Sequence, residues 1–503
     1  MFCPRATDLR GRGTRRDVLR VLSGSQVTDS TDLGRHLVTT STRRRPFPTV
    51  RILSRPSDPR PLPPASQPAD GSTPEPTAGD TVAEVVRPLV ESLLGQPPPL
   101  RFQFFDGSTL GTDGGPGTVH IRSTDALRRL VWAPGELGLA RAYVTGDVDF
   151  EGDMFAVLRA LQEASPPDIR FLGPTGTAAA LKAARRLGAL GPPLPPPPDE
   201  ARPAGWRHSI RRDAASVSHH YDVGNDFYRL VLGPSLTYSC ARFVDEHSDL
   251  EQAQAAKVEL ICKKLGLHDR RGLRLLDVGC GWGTMAMHAA TRHGAEVVGI
   301  TVSREQADLA RRRVARAGLG GTVEIRVQDY RLVRDEMFDA ISSIGMLEHV
   351  GRARQDHYFQ TLRAVLRPGG RLLNHAISSP GSSRPGRRSL ISRYVFPDAE
   401  LIDVGETVLA MERAGFEVRD IESLREHYVR TLRAWVANLE GRWDEAVAMV
   451  GEPRARVWRV YMVGCANRFA MGAMAVHQVL GVVLDHAGRS DMPPTRGAWE
   501  ASP

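Results

Sequence analysis

The chain has 503 residues, of which 41% are hydrophobic and 25% charged, a composition typical of a globular protein with more than one folding unit. Its formal net charge is +8, but residues 1–70 contain 13 Arg, 6 Asp and neither Lys nor Glu, so this segment alone holds most of the excess. The remainder is close to neutral, which argues against a broad nucleic-acid-binding surface, and we expect no nucleic-acid partner.

The cysteines and the apolar stretches indicate an intracellular location. The five cysteines lie far apart and lack the C-x-x-C spacing of zinc or redox sites, so we expect no metal ion and a reducing cytoplasm. Arg15-Arg16 is not followed by an apolar run of signal-peptide length. The longest apolar stretch, 461–488, is interrupted by polar residues, and we predict no transmembrane segment.

The first part of the chain changes character near Thr81. Residues 1–78 are rich in Arg, Pro and Ser without a sustained period, which predicts a disordered tail, although a mis-assigned start would look the same. We predict a helix over 82–94, an extended segment over 100–105 and a helix ending near Ala164, within a smaller α+β N-terminal domain over 79–190. Its last helical stretch, 177–190, carries basic residues that fit either a membrane surface or a solvated helix face.

The second half alternates strands and helices. The proline-rich segment 191–205 predicts a stiff linker. Beyond it, the catalytic domain over 206–490 contains apolar strand patterns that alternate with helical ones, and residues 491–503 form a C-terminal tail. We predict strands at 273–278, 296–300, 323–327, 338–344 and 370–377, and helices at 284–293, 304–317 and 354–366. This order is typical of an α/β, Rossmann-like doubly wound sheet.

A glycine-rich turn follows the first of these strands. Asp277 lies near the strand end, and Gly279, Gly281 and Gly283 lead into the next helix. Glycines let a turn approach a ligand closely at the carboxyl end of such a strand. The G-x-G-x-G spacing and the lack of an acid after the second strand favour S-adenosylmethionine over a dinucleotide.

Polar residues follow the second and third strands. Thr301, Ser303 and Gln306 can bind a ribose or a carboxylate, although Ser303 alternatively caps the following helix. Asp329-Tyr330 is placed to hold an adenine, or is a surface turn. The fourth strand does not end in the Asn/Asp-Pro-Pro-aromatic pattern of amino-methylating enzymes, so a base amine is not the expected acceptor.

Together these residues resemble the cyclopropane-fatty-acyl-phospholipid synthase and mycolic acid cyclopropane synthase family, within the S-adenosylmethionine-dependent methyltransferase superfamily, over roughly residues 80–490. The segments that carry the resemblance are His220 to Tyr228, Thr237 to Phe243, Gly345 to Gly351, Tyr394 to Pro397 and Tyr428 to Leu432. The resemblance implies that Tyr238 and Ser239 join the glycine turn, the segment from Thr301 to Gln306 and the turn at Asp329-Tyr330 in binding the donor.

The resemblance also implies a bicarbonate ion held by Cys240, Glu348, His375, Ile377 and Tyr428, with Cys465 close by. In that family, a one-carbon unit is added to an alkene through a carbocation, and bicarbonate removes the proton that closes the ring. Aromatic faces such as Tyr221, Phe227 and Tyr238 can stabilise the cation. An alkene offers no electrophilic carbon to a thiolate, so we expect Cys465 to line the site.

Each of the polar catalytic candidates has a simpler interpretation. Glu348 and His349 can cap a helix, His375 can be a core histidine, and Tyr428 can be a packing residue.

The N-terminal domain indicates which lipid is the acceptor. Segments 105–108 and 143–153 match the extra domain of the family's phospholipid-acting branch, which implies unsaturated phospholipid acyl chains at the inner membrane surface. Trp206, Arg207, Arg211 and Arg212 fit headgroup anchoring or a basic linker. Alternatives are a methylene- or methyl-branched product, an inactive lipid- or donor-binding protein, and a small-molecule methyltransferase. A homodimer is left open.

Overall fold

The computed structural model describes residues 80–164, 173–201, 223–269, 271–334, 336–383, 386 and 389–497, all of which belong to one compact unit. The predictions for the tail 1–78, for residues 498–503 of the C-terminal tail, and for Trp206, Arg207, Arg211, Arg212, His220 and Tyr221 lie outside these residues.

The N-terminal part is a four-stranded mixed sheet with helices. Its elements are α1 (Val82–Leu94), β1 (Arg101–Phe104), β2 (Thr109–Leu110), β3 (Gly117–Ile121), α2 (Thr124–Trp132), α3 (Glu136–Val144), β4 (Val148–Gly152), α4 (Met154–Ala164) and α5 (Gly173–Arg186). The order is β2-β1-β3-β4, with β1 and β3 parallel and the other pairs antiparallel. Helix α1 has its predicted bounds because Thr81 and Glu84 form a reciprocal capping box, which fixes its start.

The second part is a seven-stranded sheet flanked by helices. Its first elements are α6 (Asn225–Leu232), α7 (Leu250–Lys264), β5 (Arg274–Val278), α8 (Thr284–His293), β6 (Glu296–Thr301), α9 (Arg304–Arg316), β7 (Val323–Val327), β8 (Phe338–Ile344), α10 (Leu347–Val350) and α11 (Gln355–Ala364). They are followed by β9 (Leu366–Ser378), α12 (Val404–Arg413), β10 (Glu417–Ser423), α13 (Arg425–Gly441), α14 (Trp443–Val450), α15 (Glu452–Ala470) and β11 (Ala475–Val482).

The strand order is β10-β11-β9-β8-β5-β6-β7. The five strands from β9 to β7 are parallel, and β11 runs antiparallel to both β9 and β10. The predicted Rossmann-like α/β class is confirmed. The chain runs from β5 outward to β6 and β7 and then crosses back to β8, so the loops that leave β5 and β8 diverge. This switch point is where open α/β sheets bind their ligands.

The segment predicted as a linker runs along the N-terminal helices. Trp132 Nε1 on α2 donates to the carbonyl of Gly191 at 2.8 Å, and the Arg128 guanidinium donates to that of Pro192 at 2.9 Å. Arg141 on α3 makes a two-bond ion pair with the buried carboxylate of Glu200, both bonds at 2.8 Å. Residues 191–201 are therefore held by polar contacts with α2 and α3.

Helix α15 connects the two sheets. It packs against α3 and α4, and one continuous cluster of buried apolar side chains extends from α1 to β11. The buried Arg456 guanidinium on α15 lies 3.3 Å from the Asp149 carboxylate on β4. The sequence-based domain boundaries stay a prediction. Among the described residues, no helix is long and apolar enough to cross a bilayer.

Candidate active site

A cavity of about 160 Å³ lies at the carboxyl edge of β5, β6 and β8. The predicted donor-binding residues that line it are Tyr238, Ser239, Asp277, Gly279, Gly281, Thr301, Gln306, Asp329 and Tyr330. His349 and Arg354 also reach it from the segment after β8. The fold thus brings together predicted donor-binding residues from four separate segments of the chain.

The glycine turn has a backbone that side chains would disfavour. Gly279 and Gly281 have φ angles of +74° and +53°. A Cβ on Gly279 would lie 2.5 Å from the sulfur of Met346, so this position excludes any larger residue without a shift. The amides of Gly279 and Cys280 both donate to the carbonyl of Ile300 at 2.9 Å, which ties the turn to β6.

Two predicted donor-binding residues are not among the residues that line the cavity. A Cβ on Gly283 would meet that of Ala310 at 3.3 Å, so this glycine allows α8 and α9 to pack closely. Ser303 Oγ accepts from the backbone N–H of Gln306 at 3.2 Å. This is the hydrogen bond of a helix N-cap, the alternative role that the sequence left open for Ser303. Ser303 therefore begins α9.

A buried lysine on α7, which the sequence reasoning missed, lies beside the predicted residues. Lys257 Nζ donates to Ser239 Oγ at 2.9 Å, and burial lowers its pKa to about 8. Opposite, Asp277 Oδ1 accepts from Ser342 Oγ at 2.8 Å, and burial raises the pKa of this carboxyl to about 6. Lys257 shares the buried face of α7 with Ala253 and Ile261, and a lysine on an apolar face is the signal that could have identified it.

Glu348, on α10, is buried, and one of its two carboxylate oxygens accepts a hydrogen bond. Its Oε1 accepts from the backbone N–H of Ile377 on β9 at 2.7 Å, whereas Oε2 has no hydrogen-bond partner among the described residues. Burial raises the pKa of Glu348 to about 7. The side chain thus joins α10 to β9 and does not cap its own helix.

His375 lies on β9, two residues before Ile377, and is also buried. Its Nδ1 is 3.4 Å from the side-chain nitrogen of Gln478 on β11, and its Nε2 has no partner among the described residues. Burial, followed by the charges of Lys257 and Lys264, lowers the pKa of His375 well below its ordinary value. The imidazole is therefore neutral near pH 7.

Tyr428 and Cys465 come from helices α13 and α15. Burial raises the pKa of Tyr428 well above its ordinary value, and four neighbouring side chains raise it further: Tyr238, Cys240, Glu348 and Cys465. These side chains are thus near enough to act on one another electrostatically. Tyr428 also packs on Phe469, with ring centroids 4.7 Å apart, so the packing interpretation holds as well.

The two site cysteines are protonated thiols. Burial raises the pKa of Cys465 to about 12, which agrees with a lining residue and not a nucleophile. The thiol of Cys240 is buried, and its Sγ lies 3.5 Å from the carbonyl of Leu424. Burial raises its pKa above the ordinary value too.

An aromatic cluster lies beside Tyr428 and Cys465. Phe227 and Tyr238, which were predicted, both contact Trp458, with ring centroids 5.4 and 5.8 Å apart. The hydroxyls of Tyr238 and Tyr461 are 3.0 Å apart. Trp435 packs on Tyr238 at 5.3 Å. Trp435, Trp458 and Tyr461 were missed because they lie about 200 residues downstream, on helices whose packing the sequence pattern did not show.

A Rossmann-like sheet with a glycine turn at its switch point, and a cavity there lined by both apolar and polar side chains, is the arrangement of an S-adenosylmethionine-dependent methyltransferase. The chain belongs to the mycolic acid cyclopropane synthetase family, which matches residues 208–479.

Individual relatives extend the match beyond that range. A probable fatty acid methyltransferase of Mycobacterium tuberculosis is 43% identical over 415 residues, which cover 80% of this chain and 95% of the relative. The cyclopropane-fatty-acyl-phospholipid synthase of Escherichia coli strain K12 is 32% identical over 73% of this chain and 87% of its own.

A solved mycolic acid cyclopropane synthase, in complex with S-adenosylhomocysteine and CTAB, is 33% identical, with a TM-score of 0.50 over 53% of this chain and 97% of that chain. The protein is accordingly an S-adenosylmethionine-dependent enzyme of lipid modification, in a family of cyclopropane synthases and fatty acid methyltransferases.

Proposed function

We propose that the protein transfers a one-carbon unit from S-adenosylmethionine to the cis double bond of an unsaturated phospholipid acyl chain and forms a cyclopropane ring. The observation that carries this proposal is the buried Glu348 carboxyl, whose second oxygen has no partner among the described residues. This carboxyl lies within electrostatic reach of Tyr428, which packs against Trp435 of the aromatic cluster. Each part of the reaction has a corresponding group of side chains.

The donor cavity suits a zwitterionic, adenine-containing ligand. Lys257 supplies a buried positive charge and Asp277 a buried carboxyl, and Asp329 and Tyr330 lie at the end of β7, where the adenine is expected. S-adenosylmethionine supplies an electrophilic methyl group when it is bound there. The enclosing side chains exclude water and hold the reacting groups in one orientation, which is how a weak nucleophile such as an alkene is made to react.

The aromatic cluster is suited to a cationic acyl chain. Addition to an alkene leaves positive charge on the chain, and ring faces attract cations through their negative quadrupoles. Tyr238, Trp435, Trp458 and Tyr461 supply four such rings around one region. In an interior of low dielectric, this attraction is stronger than at an exposed surface.

The polar groups beside the cluster fit a bicarbonate ion. Glu348 Oε2 and His375 Nε2 are buried polar atoms that lack partners among the described residues, and a small ion with both acceptor and donor atoms satisfies such a pair. Bicarbonate would supply the base that removes the proton for ring closure. Ile377 orients Glu348 through its backbone N–H, and Tyr428 and Cys240 provide further hydrogen-bonding groups.

A phospholipid acceptor at the inner membrane surface is supported by the N-terminal part. The phospholipid-acting relative aligns over 73% of the chain and the solved mycolic acid enzyme over only 53%, so the additional matched length favours the phospholipid branch. Trp132, Leu181 and Leu190, on α2 and at or beyond α5, are exposed by 50%, 56% and 43%. Large exposed apolar side chains beside basic ones are suited to a lipid surface.

The second candidate is the same methyl transfer with a different final step. A hydride moves from the methyl-bearing carbon to the neighbouring cationic carbon, and the transferred methyl then loses a proton, which leaves a methylene branch on the acyl chain. The 43% identical relative is named a fatty acid methyltransferase, without reference to a ring. The two products have equal mass, and they differ in whether a base removes the methyl proton before or after the hydride shift.

The test is expression in a host that makes oleoyl phospholipids, followed by mass spectrometry of the acyl chains and ozonolysis. A mass gain of one CH2 with no ozone-sensitive bond supports the ring, whereas an ozone-sensitive product supports the methylene branch. Retained donor binding without any mass gain would identify an inactive binding protein. Turnover of soluble substrates without vesicles would identify a small-molecule methyltransferase.

A further inference from the structure

A cluster of metal-binding side chains lies between helices α7 and α8, apart from the residues that line the donor cavity. Glu259 and Cys262 are three residues apart on α7 and therefore share one face of it. His288 and His293 lie on α8. The Cys262 sulfur and one ring nitrogen of each histidine are all within 4.8 Å of one another.

Glu259 completes the cluster from its outer side. Its Oε2 lies 2.8 Å from Nε2 of His288 and 3.1 Å from Nε2 of His293. One carboxylate oxygen therefore already draws both imidazoles together. Carboxylates in this position either coordinate the ion themselves or orient the histidines that do.

We infer that this cluster binds one Zn²⁺ ion, with Cys262, His288 and His293 as ligands and Glu259 as the fourth ligand or as the group that orients the histidines. A mixed sulfur and imidazole set suits zinc, which takes four ligands tetrahedrally. Magnesium and calcium require oxygen ligands and do not fit. The expectation of no metal site rested on sequence spacing, whereas this cluster is formed by the contact of two helices.

Burial gives the site an inner and an outer end. Cys262 is fully buried, and the side chains of His293, His288 and Glu259 are 9%, 20% and 27% exposed. The thiol thus closes the inner end, and an ion enters past Glu259 and His288. The positive charge of the nearby Arg292 disfavours a bound cation, and the negative charge of the Glu259 carboxylate offsets this repulsion. As the sulfur–zinc bond forms, the thiol proton leaves to solvent.

The position of the cluster gives the ion a structural role. Cys262 follows Lys257, which lines the donor cavity, by five residues on the same helix. Helix α8 begins directly after the glycine turn. A metal that links α7 to α8 therefore fixes two elements that form the walls of the donor cavity, without contacting the donor.

The experiment uses the untagged full-length protein, stripped with EDTA and titrated with Zn²⁺ against a chromophoric chelator. We expect one zinc per chain, and at least about tenfold weaker binding for Cys262→Ser and His288→Ala. His357→Ala, which alters an exposed histidine on α11, is the matched control and retains wild-type affinity. Zinc also raises the melting temperature of the wild type more than that of His288→Ala.

Cobalt substitution of the wild-type protein provides an independent readout that needs no variant to fold. Bound Co²⁺ is expected to show tetrahedral d–d absorption and a thiolate charge-transfer band. If the wild type gives no thiolate band, or if folded Cys262→Ser and His288→Ala bind zinc as tightly as the wild type, the zinc site is overturned. Neither readout depends on methyl transfer, so failure here is distinct from failure of the proposed function.

Discussion

Replacing Glu348 by Gln is expected to make the protein more stable at alkaline pH and at the same time slower. The glutamine carbonyl oxygen can still accept from the Ile377 N–H, so the contact between α10 and β9 is preserved. What disappears is the cost of ionising a buried carboxyl, whose pKa burial raises from 4.5 to about 7.

The sign and size of the effect follow from proton linkage. Because the native state holds this proton more tightly than the unfolded chain, wild-type stability falls as pH rises from 4.5 through 7, and the full cost applies above pH 7. At 1.36 kcal/mol per pH unit, the full cost is about 3 kcal/mol. Between pH 5 and pH 8, the variant should therefore gain about 2.5 kcal/mol relative to the wild type.

Urea denaturation of both proteins at pH 5 and pH 8 gives the free energy of unfolding of each. The gain is the difference between variant and wild type at pH 8 minus the same difference at pH 5. Glu412→Gln, at an exposed position on α12, is the matched control and should show almost no pH-dependent gain. Turnover of Glu348→Gln on oleoyl phospholipid vesicles should fall by about 10², the scale of a lost acid–base group. A gain that is equal at the two pH values, or a turnover like that of the wild type, would refute the reasoning.

Three further changes test other parts of the site and fold. Lys257→Met should weaken donor binding about tenfold at pH 7 by calorimetry, and the deficit should shrink well above pH 8, where the wild-type lysine is itself neutral. Tyr461→Phe removes a hydrogen bond worth about 1 kcal/mol from the aromatic cluster proposed to surround the acyl chain, so turnover on oleoyl phospholipid vesicles should fall about fivefold. Donor affinity by calorimetry should stay nearly constant, and turnover equal to that of the wild type would exclude a role for this hydroxyl. Asp149→Ala leaves the buried Arg456 without this carboxylate and should lower the free energy of unfolding by about 3 kcal/mol in urea, whereas Glu151→Ala, at an exposed site on the same strand, should change it by less than about 0.5 kcal/mol.

The parallel sheet was predictable because its central strands are buried on both faces. The central strand Phe338–Ile344 has the predicted bounds, and so does the edge strand Val323–Val327, in which buried Val323 and Ile325 alternate with the exposed Glu324. Strand β9 begins at Leu366, four residues earlier than predicted. The register shift of β9 against β8 lies near this start. The strand start was missed because Pro368, Gly369 and Gly370 have the composition of a turn.

The grouping of the proposed donor-binding residues around one cavity was also largely predictable, because most of them follow strands that end at one edge of the sheet. Ser303 shows the limit of this reasoning, since the same side chain suits a ligand and a helix cap, and only its contact with Gln306 decides. Lys257 and the metal-binding cluster depend on which helix faces meet. That information lies in tertiary packing and not in local spacing.

The proposed acceptor half of the site has a different origin in the chain. Helices α13 to α15 all lie between β10 and β11, a connection that an open sheet could make with a short turn. This insertion supplies Tyr428, Trp435, Trp458 and Tyr461, whereas the strand ends and the glycine turn supply most of the donor cavity. The two candidate products differ in whether the methyl proton is lost before or after a hydride shift along the acyl chain. Substitutions on the inner faces of α13 and α15 should therefore alter the ratio of ring to branch and leave donor affinity nearly constant.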